Sequence, residues 1–166
     1  MPPARRSPKS SPRADIRAIV DGLRRIVRAL ELYSQDVRRS FGLTAPQLWA
    51  LKTLERTGPL TAGELATELL VQQSSLSLLI RRLERRGLVR RTRLKDDRRF
   101  VRIELTDKAI PICRAAPAPT QGRLLHGLER MPRTRLARVR QSVEDLTQAM
   151  EAEDVEARFF FEGSPP

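Results

Sequence analysis

Residues 74–103, SSLSLLIRRLERRGLVRRTRLKDDRRFVRI, contain the pattern of a helix followed by that of two strands. The first half carries apolar residues at every third or fourth position, which is the spacing of a helix with one buried face. Gly87 ends this pattern, and glycine is favoured just past the last turn of a helix. The second half alternates apolar and polar residues, which predicts strands over residues 88–93 and 99–105 joined by a polar turn. The predicted buried face of the helix consists of Leu76, Leu79, Ile80 and Leu83.

Positive charge is concentrated in the same segment. Residues 85–103 contain nine cations and only two carboxylates, and the chain of 166 residues carries a formal net charge of +12. Like charges crowded this closely repel one another, so they are tolerated best where an external polyanion neutralises them. A solvated basic surface is the alternative. Because most of the cations are arginines, whose guanidinium groups suit phosphates and guanine edges, the composition favours a nucleic-acid partner.

Two further helices are predicted upstream by their starts. Thr44 and Gln47 have the spacing of a capping box, in which each side chain bonds to the other residue's backbone N–H, and Thr61 and Glu64 repeat it. Three short helices in close succession form the outline of a helix-turn-helix. The hairpin that follows is marginal on its own, so its apolar face is expected to pack on these helices.

The flanks of this central segment are also predicted to be mainly helical. Apolar residues at helical spacing over about residues 14–39 predict one long amphipathic helix. Residues 1–13 are rich in proline, serine and arginine, so we expect a disordered basic arm there, and residues 163–166 form a loose tail. Thr106 is predicted to cap a further helix. Prolines are expected to break it between residues 110 and 120, because proline in a helix interior costs about 3 kcal/mol. They are Pro111, Pro117 and Pro119.

The apolar faces of the flanking helices predict a dimer. Pro132 opens a last amphipathic helix, and three consecutive phenylalanines follow at residues 159–161. Exposed on a monomer, these faces would be an aggregation hazard, whereas a two-fold dimer buries them. We therefore expect dimerisation helices in residues 14–40 and 110–162. The expected contact residues are Ile16, Leu23, Leu136, Val143, Leu146 and Phe160.

Single cysteine and histidine residues limit the chemistry. With Cys113 as the one cysteine, the chain has neither an internal disulfide nor a cysteine-based zinc site. His126 lies among leucines, without a nucleophile motif or a glycine-rich phosphate loop, so we expect a packed helical residue, no enzyme and no cofactor. Cys113 is expected to be a buried inert thiol; a redox-sensing cysteine beside Arg114 is the alternative. The lack of a membrane-length apolar run and of a secretory signal predicts a cytoplasmic protein without a membrane partner.

The central segment contains, in this order, the motifs Glu64-Leu65-Ala66, Ser74-Ser75-Leu76-Ser77, Arg82-Leu83-Glu84-Arg85-Arg86-Gly87-Leu88-Val89, Asp97-Arg98-Arg99 and Leu105-Thr106. In these motifs it resembles the winged-helix core of the MarR family of bacterial transcriptional regulators. The resemblance implies a mainly α fold with a small β-hairpin, in which residues 41–109 form a winged helix-turn-helix DNA-binding domain and the helices on both sides form a homodimer. Three features depart from the family: Gln72 stands where a capping serine is usual, Leu78 occupies a position often polar or basic, and prolines interrupt a helix that is continuous in the family.

The predicted DNA-binding residues lie on the third short helix and on the hairpin, or wing. Polar side chains, free N–H groups and the positive end of the helix dipole suit the helix to a major groove. At the hairpin tip, Arg98 or Arg99 suits a narrow minor groove, while Arg90, Arg91 and Arg93 are expected to follow one sugar-phosphate strand. The helix residues are Gln73, Ser74, Ser75, Ser77, Arg81 and Arg85, and the wing residues are Arg90, Arg91, Arg93, Lys95, Arg98 and Arg99. Two roles stay open. Ser74 either contacts DNA or caps the helix, and Asp97 either orients the wing, as the resemblance implies, or is an ordinary turn residue.

The sequence therefore predicts a homodimeric regulator that binds pseudo-palindromic double-stranded DNA with two recognition helices one DNA turn apart, roughly 34 to 36 Å. The resemblance implies a repressor that a small-molecule effector releases by changing the dimer geometry. A nonspecific architectural nucleic-acid-binding protein and a cysteine-based redox-sensing regulator are the alternatives. Leu23, Val27, Leu48 and Leu124 are candidates for the lining of an effector pocket, with ordinary core as the alternative.

Overall fold

The computed structural model describes residues 11–93 and 101–155. It confirms a mainly helical fold with a small antiparallel sheet. In chain order the elements are α1 (Pro12–Phe41), α2 (Ala45–Thr57), β1 (Leu60–Thr61), α3 (Ala62–Glu68), α4 (Gln73–Arg85), β2 (Val89–Arg93), β3 (Val101–Leu105), α5 (Ala109–Ala115), α6 (Thr120–Glu129) and α7 (Arg133–Ala149).

The two predicted capping boxes are confirmed. The Thr44 backbone N–H donates to Gln47 Oε1 over 3.0 Å, and the Gln47 N–H donates to Thr44 Oγ1 over 3.4 Å. At the start of α3 the corresponding distances between Thr61 and Glu64 are 2.7 and 3.2 Å. These bonds satisfy N–H groups that a helix start leaves without partners. The capping bonds to the Thr61 backbone and side chain also lower the pKa of the Glu64 carboxyl.

One hydrophobic core joins α2, α3, α4, the sheet and α5 to the C-terminal half of α1. Helix α4 contributes one apolar face, as its spacing in the sequence predicts, whereas α2 is buried over most of its circumference. The largest fully buried side chains include Val37, Leu48, Leu51, Leu65, Leu76, Ile80, Leu83 and Val89. This core fixes α4 and the wing relative to each other.

The sheet has three strands, in the order β1-β3-β2, rather than the two predicted. Leu60 pairs with Ile103 and Thr61 with Arg102 along the free edge of β3. The sequence indicated only the helix-capping role of Thr61, but an N-cap residue has an extended backbone, so Thr61 serves in a strand and as a cap at once. The extra strand attaches the wing to the start of α3.

Helix α1 divides into two halves with different surroundings. It begins at Pro12, two residues earlier than predicted, because Ser11 caps it by accepting a hydrogen bond from the Ala14 N–H. Its buried residues all lie in the C-terminal half, at Leu30, Tyr33, Ser34 and Val37. The N-terminal half therefore projects beyond the core of the chain, and its apolar stripe is exposed.

The predicted break in the C-terminal helix is confirmed at Pro117 and Pro119, which lie in the connection between α5 and α6. Pro111 does not interrupt α5, because it lies in the first turn, where a helix does not need the missing N–H. The prediction that Thr106 caps this helix was wrong. Its hydroxyl instead donates to the Gly87 carbonyl over 2.6 Å, and the N-cap position is Lys108, without a side-chain cap.

Helix α7 starts after Pro132, as predicted, and has no buried residue against the rest of the described chain. Within the described ranges, the helices are either too short or too polar to cross a bilayer.

Candidate nucleic-acid interface

The N-terminus of α4 is open. Its N-cap residue Gln72 has an extended backbone and makes no side-chain capping bond, which confirms the weak start predicted from the sequence. The first backbone N–H groups of a helix have no partner within the helix and carry the positive end of its dipole. Ser74 does not cap the helix, since Gln72 holds that position. The open end is therefore available to an anionic oxygen.

The outward face of α4 carries the predicted helix residues. Ser74, Arg81 and Arg85 are exposed and lie on the side opposite the buried leucines, as 3.6 residues per turn requires. Gln73 is also exposed, and Ser75 is half-buried at the edge of this face. These side chains and the helix start together present cationic and hydrogen-bonding groups on one surface.

Ser77 is less free than predicted. Its hydroxyl donates to the Gln73 carbonyl one turn earlier, over 2.9 Å. Serine within a helix often makes this bond, so the pattern was readable from the sequence. Only the acceptor lone pairs of the hydroxyl remain available to a ligand.

The wing arginines are not arranged as a single row. Neighbouring residues of a strand point to opposite faces of the sheet, so Arg90 points away from the face that Arg91 and Arg93 share. Arg90 Nε lies 2.7 Å from Glu104 Oε1, and this carboxylate raises the pKa of the Arg90 guanidinium. The sequence prediction that all three arginines follow one phosphate strand overlooked this alternation.

Arg91 is tied to α4. Its Nε lies 3.4 Å from Glu84 Oε2, so an ion pair joins β2 to α4. Arg93 is exposed at the end of β2. The remaining wing predictions, Lys95, Asp97, Arg98 and Arg99, lie outside the described residues.

Arg102 was not among the predicted residues. It lies on the outward face of β3, opposite Thr61 and Thr92, and its Nε is buried without a hydrogen-bond partner in the described chain. Alternation along β3 was the signal available in the sequence, because it places Arg102 beside Glu104 and away from the core. Arg102 adds one more cation to the outward face of the sheet.

The predicted dimerisation residues lie outside the core. Ile16 and Leu23 on α1 and Leu136 and Val143 on α7 are 36 to 60% exposed. Leu146 is half-buried, and Phe160 lies outside the described residues. Two helices therefore present apolar stripes that the described chain leaves uncovered.

A cavity of ≈ 640 Å³ lies between α2 and α6. It does not involve the residues predicted for a pocket: Leu48 is fully buried in the core, and Leu23, Val27 and Leu124 are exposed elsewhere. Its wall includes the proline-containing connection before α6, which brings that helix over α2. The lining residues are Trp49, Lys52, Thr53, Glu55, Arg56, Glu68, Ala118, Pro119, Gly122, Leu125, His126 and Glu129.

His126 is not the packed residue that the sequence predicted. Its side chain is 69% exposed at the cavity, with Nδ1 3.9 Å from Glu129 Oε2. Gln121, rather than His126, is the buried residue of α6. The short apolar pattern of this helix did not define which of its faces packs.

Cys113 is buried, as predicted. Burial raises the pKa of its thiol to about 11; nearby Glu55 adds to the increase, and Lys52 opposes it. A thiolate is the reactive form of cysteine, so this environment disfavours oxidation. Within the described ranges, no three His, Cys, Asp or Glu side chains are grouped so that they can hold a metal ion.

The central part of the chain is similar to known proteins. Residues 43–101 match the sequence model of the MarR family. The HTH-type transcriptional regulator MgrA of Staphylococcus aureus is 36% identical over 77 residues, which are 46% of this chain and 52% of MgrA. The chain thus spans about half the length of this curated relative.

Solved structures share the fold over most of the chain. A MarR family protein from Bacillus stearothermophilus aligns with a TM-score of 0.52 and 27% identity, covering 86% of this chain and 99% of that one. Streptococcus pneumoniae FabT in complex with DNA aligns with a TM-score of 0.56 over 82% of this chain and 97% of FabT; at 22% identity it shows the common fold. The motifs, the three-stranded winged helix and these matches agree: residues 43–101 are similar to the MarR family, and the chain shares the fold of a solved member.

Proposed function

We propose that the protein is a homodimeric transcriptional regulator, and not an enzyme, that binds pseudo-palindromic double-stranded DNA. The observation that carries the proposal is the outward face of α4, where Ser74, Arg81 and Arg85 accompany an uncapped helix N-terminus. A helix of this kind fits the major groove, with its N-terminal residues at base edges and its arginines at phosphates. A chromosomal target implies a cytoplasmic location.

The ion pairs of the arginines indicate that they have different roles. Arg90 and Arg91 are held by Glu104 and Glu84, whereas Arg81, Arg85 and Arg93 have no carboxylate partner in residues 11–93 and 101–155. An unpaired guanidinium reaches a phosphate without first breaking an ion pair. We therefore assign phosphate contacts to these unpaired arginines. The wing residues Lys95, Arg98 and Arg99 are assigned to the minor groove on sequence grounds, with Asp97 orienting them.

The homodimer is supported by the uncovered apolar stripes. The stripe of α1 consists of Ile16, Ile19, Val20, Leu23, Ile26 and Val27, all at least 37% exposed. Helix α7 has no buried residue in the described chain, although Leu136, Val139, Val143 and Leu146 share one face. Burial in a two-fold interface removes both stripes from water, and we propose an axis that sets two copies of α4 on the same side of the dimer.

An effector response is supported by the cavity between α2 and α6. Helix α2 belongs to the DNA-binding core, whereas α6 leads to the dimerisation helix α7. A small molecule that prefers one separation of these helices shifts the dimer toward one spacing of its recognition helices. We propose a repressor that such a ligand releases. The buried thiol of Cys113 argues against redox sensing as the trigger.

The experiment that tests this function is selection of bound fragments from the source genome by the purified full-length chain. The expected result is a common inverted repeat whose half-site centres lie about one helical turn apart, about 10 base pairs. Recovery of fragments without a shared sequence contradicts the regulator and favours the architectural nucleic-acid binder.

A further inference from the structure

Leu78 interrupts the polar face of α4. Residues 74, 78, 81 and 85 follow one another at spacings of four, three and four, so they form one stripe along the helix. This stripe lies opposite the buried stripe of Leu76, Leu79, Ile80 and Leu83. Its members are Ser74, Leu78, Arg81 and Arg85, and Leu78 is the apolar one.

The Leu78 side chain is 46% exposed, whereas the adjacent Leu79 is 3% exposed. An isolated exposed leucine is ordinary on a protein surface. Leu78, however, lies one turn after Ser74 and one turn before Arg81, in the centre of the surface assigned to DNA. The cations on this stripe fit a polyanion and make it a poor surface for an apolar protein partner.

The chemistry of the major groove defines what Leu78 can recognise. Adenine, guanine and cytosine present hydrogen-bonding groups there, and thymine also presents its 5-methyl group. Leucine neither donates nor accepts a hydrogen bond. Against a thymine methyl it buries apolar surface, whereas against a polar edge it removes water without replacing the lost hydrogen bond. A leucine at this position therefore discriminates in favour of thymine.

We propose that Leu78 is a specificity-determining residue that contacts a thymine 5-methyl group in each half-site of the operator. This inference rests on the proposed function. A basic residue at this position would contact a phosphate, whereas Leu78 contributes selectivity between bases.

The test uses a duplex recovered by genomic selection, in which each thymine is replaced in turn by deoxyuridine. This replacement removes the methyl group and retains base pairing. For the unmodified protein we expect one thymine position per half-site at which deoxyuridine weakens binding about 4-fold, and about 15-fold when both half-sites are changed, as the loss of one buried methyl group per site predicts. Affinity is measured by fluorescence anisotropy at fixed salt.

Three variants separate the contact from a general loss of affinity. Leu78→Ala is expected to bind the thymine duplex more weakly and to be insensitive to deoxyuridine at the same position. Leu78→Met keeps an apolar side chain and is expected to keep the sensitivity. Leu70→Ala is the matched control, because Leu70 is 71% exposed in the same domain but lies before α4, and it is expected to behave as the unmodified protein does.

The outcomes distinguish this inference from the function on which it rests. Binding that no deoxyuridine substitution weakens overturns the role of Leu78 and leaves DNA recognition intact. The same holds if Leu78→Ala retains the full deoxyuridine effect. Failure of the unmodified chain to bind any duplex overturns both proposals.

Discussion

The Arg86 side chain donates a hydrogen bond of 2.6 Å from Nη1 to the backbone carbonyl of Gly42. Gly42 is the left-handed residue that ends α1, and Arg86 follows the last residue of α4. The Arg86 carbonyl in turn accepts a bond of 2.9 Å from Lys108 Nζ, just before α5. Three helix ends therefore meet at one arginine, between the helix that projects toward the proposed dimer partner and the helix proposed to read DNA.

Replacement of Arg86 by alanine is expected to lower the free energy of unfolding by about 1 kcal/mol, because a charge-assisted bond is lost at a solvent-exposed site. Urea denaturation followed by circular dichroism measures the change. Arg85→Ala is the matched control: its side chain lies on the outward face, so it is expected to leave stability within about 0.5 kcal/mol and to weaken DNA binding. Equal destabilisation by the two variants contradicts the assigned role of Arg86.

Removal of a phosphate contact is expected to reduce the salt dependence of DNA binding. Arg81→Ala should lower the slope of log K against log salt by about 0.9, and the double variant Arg98→Ala, Arg99→Ala by about twice that amount. Titrations at four salt concentrations provide the slopes. Arg140→Ala on α7 removes the same charge from an exposed pair with Glu144 and is expected to leave the slope unchanged. An unaltered slope for Arg81→Ala rules out its phosphate contact.

A charge in the α1 stripe is expected to dissociate the dimer. Leu23→Asp should raise the dimer dissociation constant at least about 100-fold, since burial of a leucine side chain contributes about 1.5 to 3 kcal/mol in each protomer. Sedimentation velocity across a dilution series measures the change. Leu32→Asp is the control, because Leu32 is also exposed on α1 but lies on the opposite face. Dissociation by both variants, or by neither, places the interface elsewhere.

The C-terminal segment provides a separate test of the dimer. Deletion of residues 151–166, which include Phe160, is expected to weaken dimerisation as measured by light scattering at low concentration. A truncated chain that stays dimeric under these conditions removes the phenylalanines from the interface.

The buried thiol of Cys113 is expected to make the fold less stable in alkali. Its pKa is raised from 9.0 to about 11, so between these values the unfolded chain releases a proton that the folded chain retains. The contribution of this thiol to the free energy of unfolding is fully present below pH 9. It decreases by up to about 2 kcal/mol as the pH rises toward 11. Urea denaturation at pH 8 and pH 10.5 measures the loss. Cys113→Ala should reduce the difference between the two pH values; an unchanged difference contradicts the assignment.

Much of the helical part was predictable because its signals are local. The Thr44 and Thr61 capping boxes require contacts across only three residues, and the buried face of α4 repeats within three turns. The open start at Gln72 followed equally from the lack of a capping side chain. These features depend on short-range geometry that neighbouring elements did not override.

The errors arose where a distant element decided the outcome. Strand β1 exists because the edge of β3 pairs with it, and Thr106 bonds to Gly87 instead of capping α5. The internal pairs of Arg90 and Arg91 required knowledge of which strand and helix residues lie opposite them. The exposure of His126 depended on how α6 turns after the proline break. None of these contacts leaves a periodic pattern in the sequence.

Competition at one physiological salt concentration measures the affinity ratio between a selected genomic duplex and a random duplex of equal length. If α4 and the wing form a sequence-reading surface, the selected duplex is expected to bind at least about 1,000-fold more tightly. Equal affinity for the two duplexes contradicts a sequence-specific regulator.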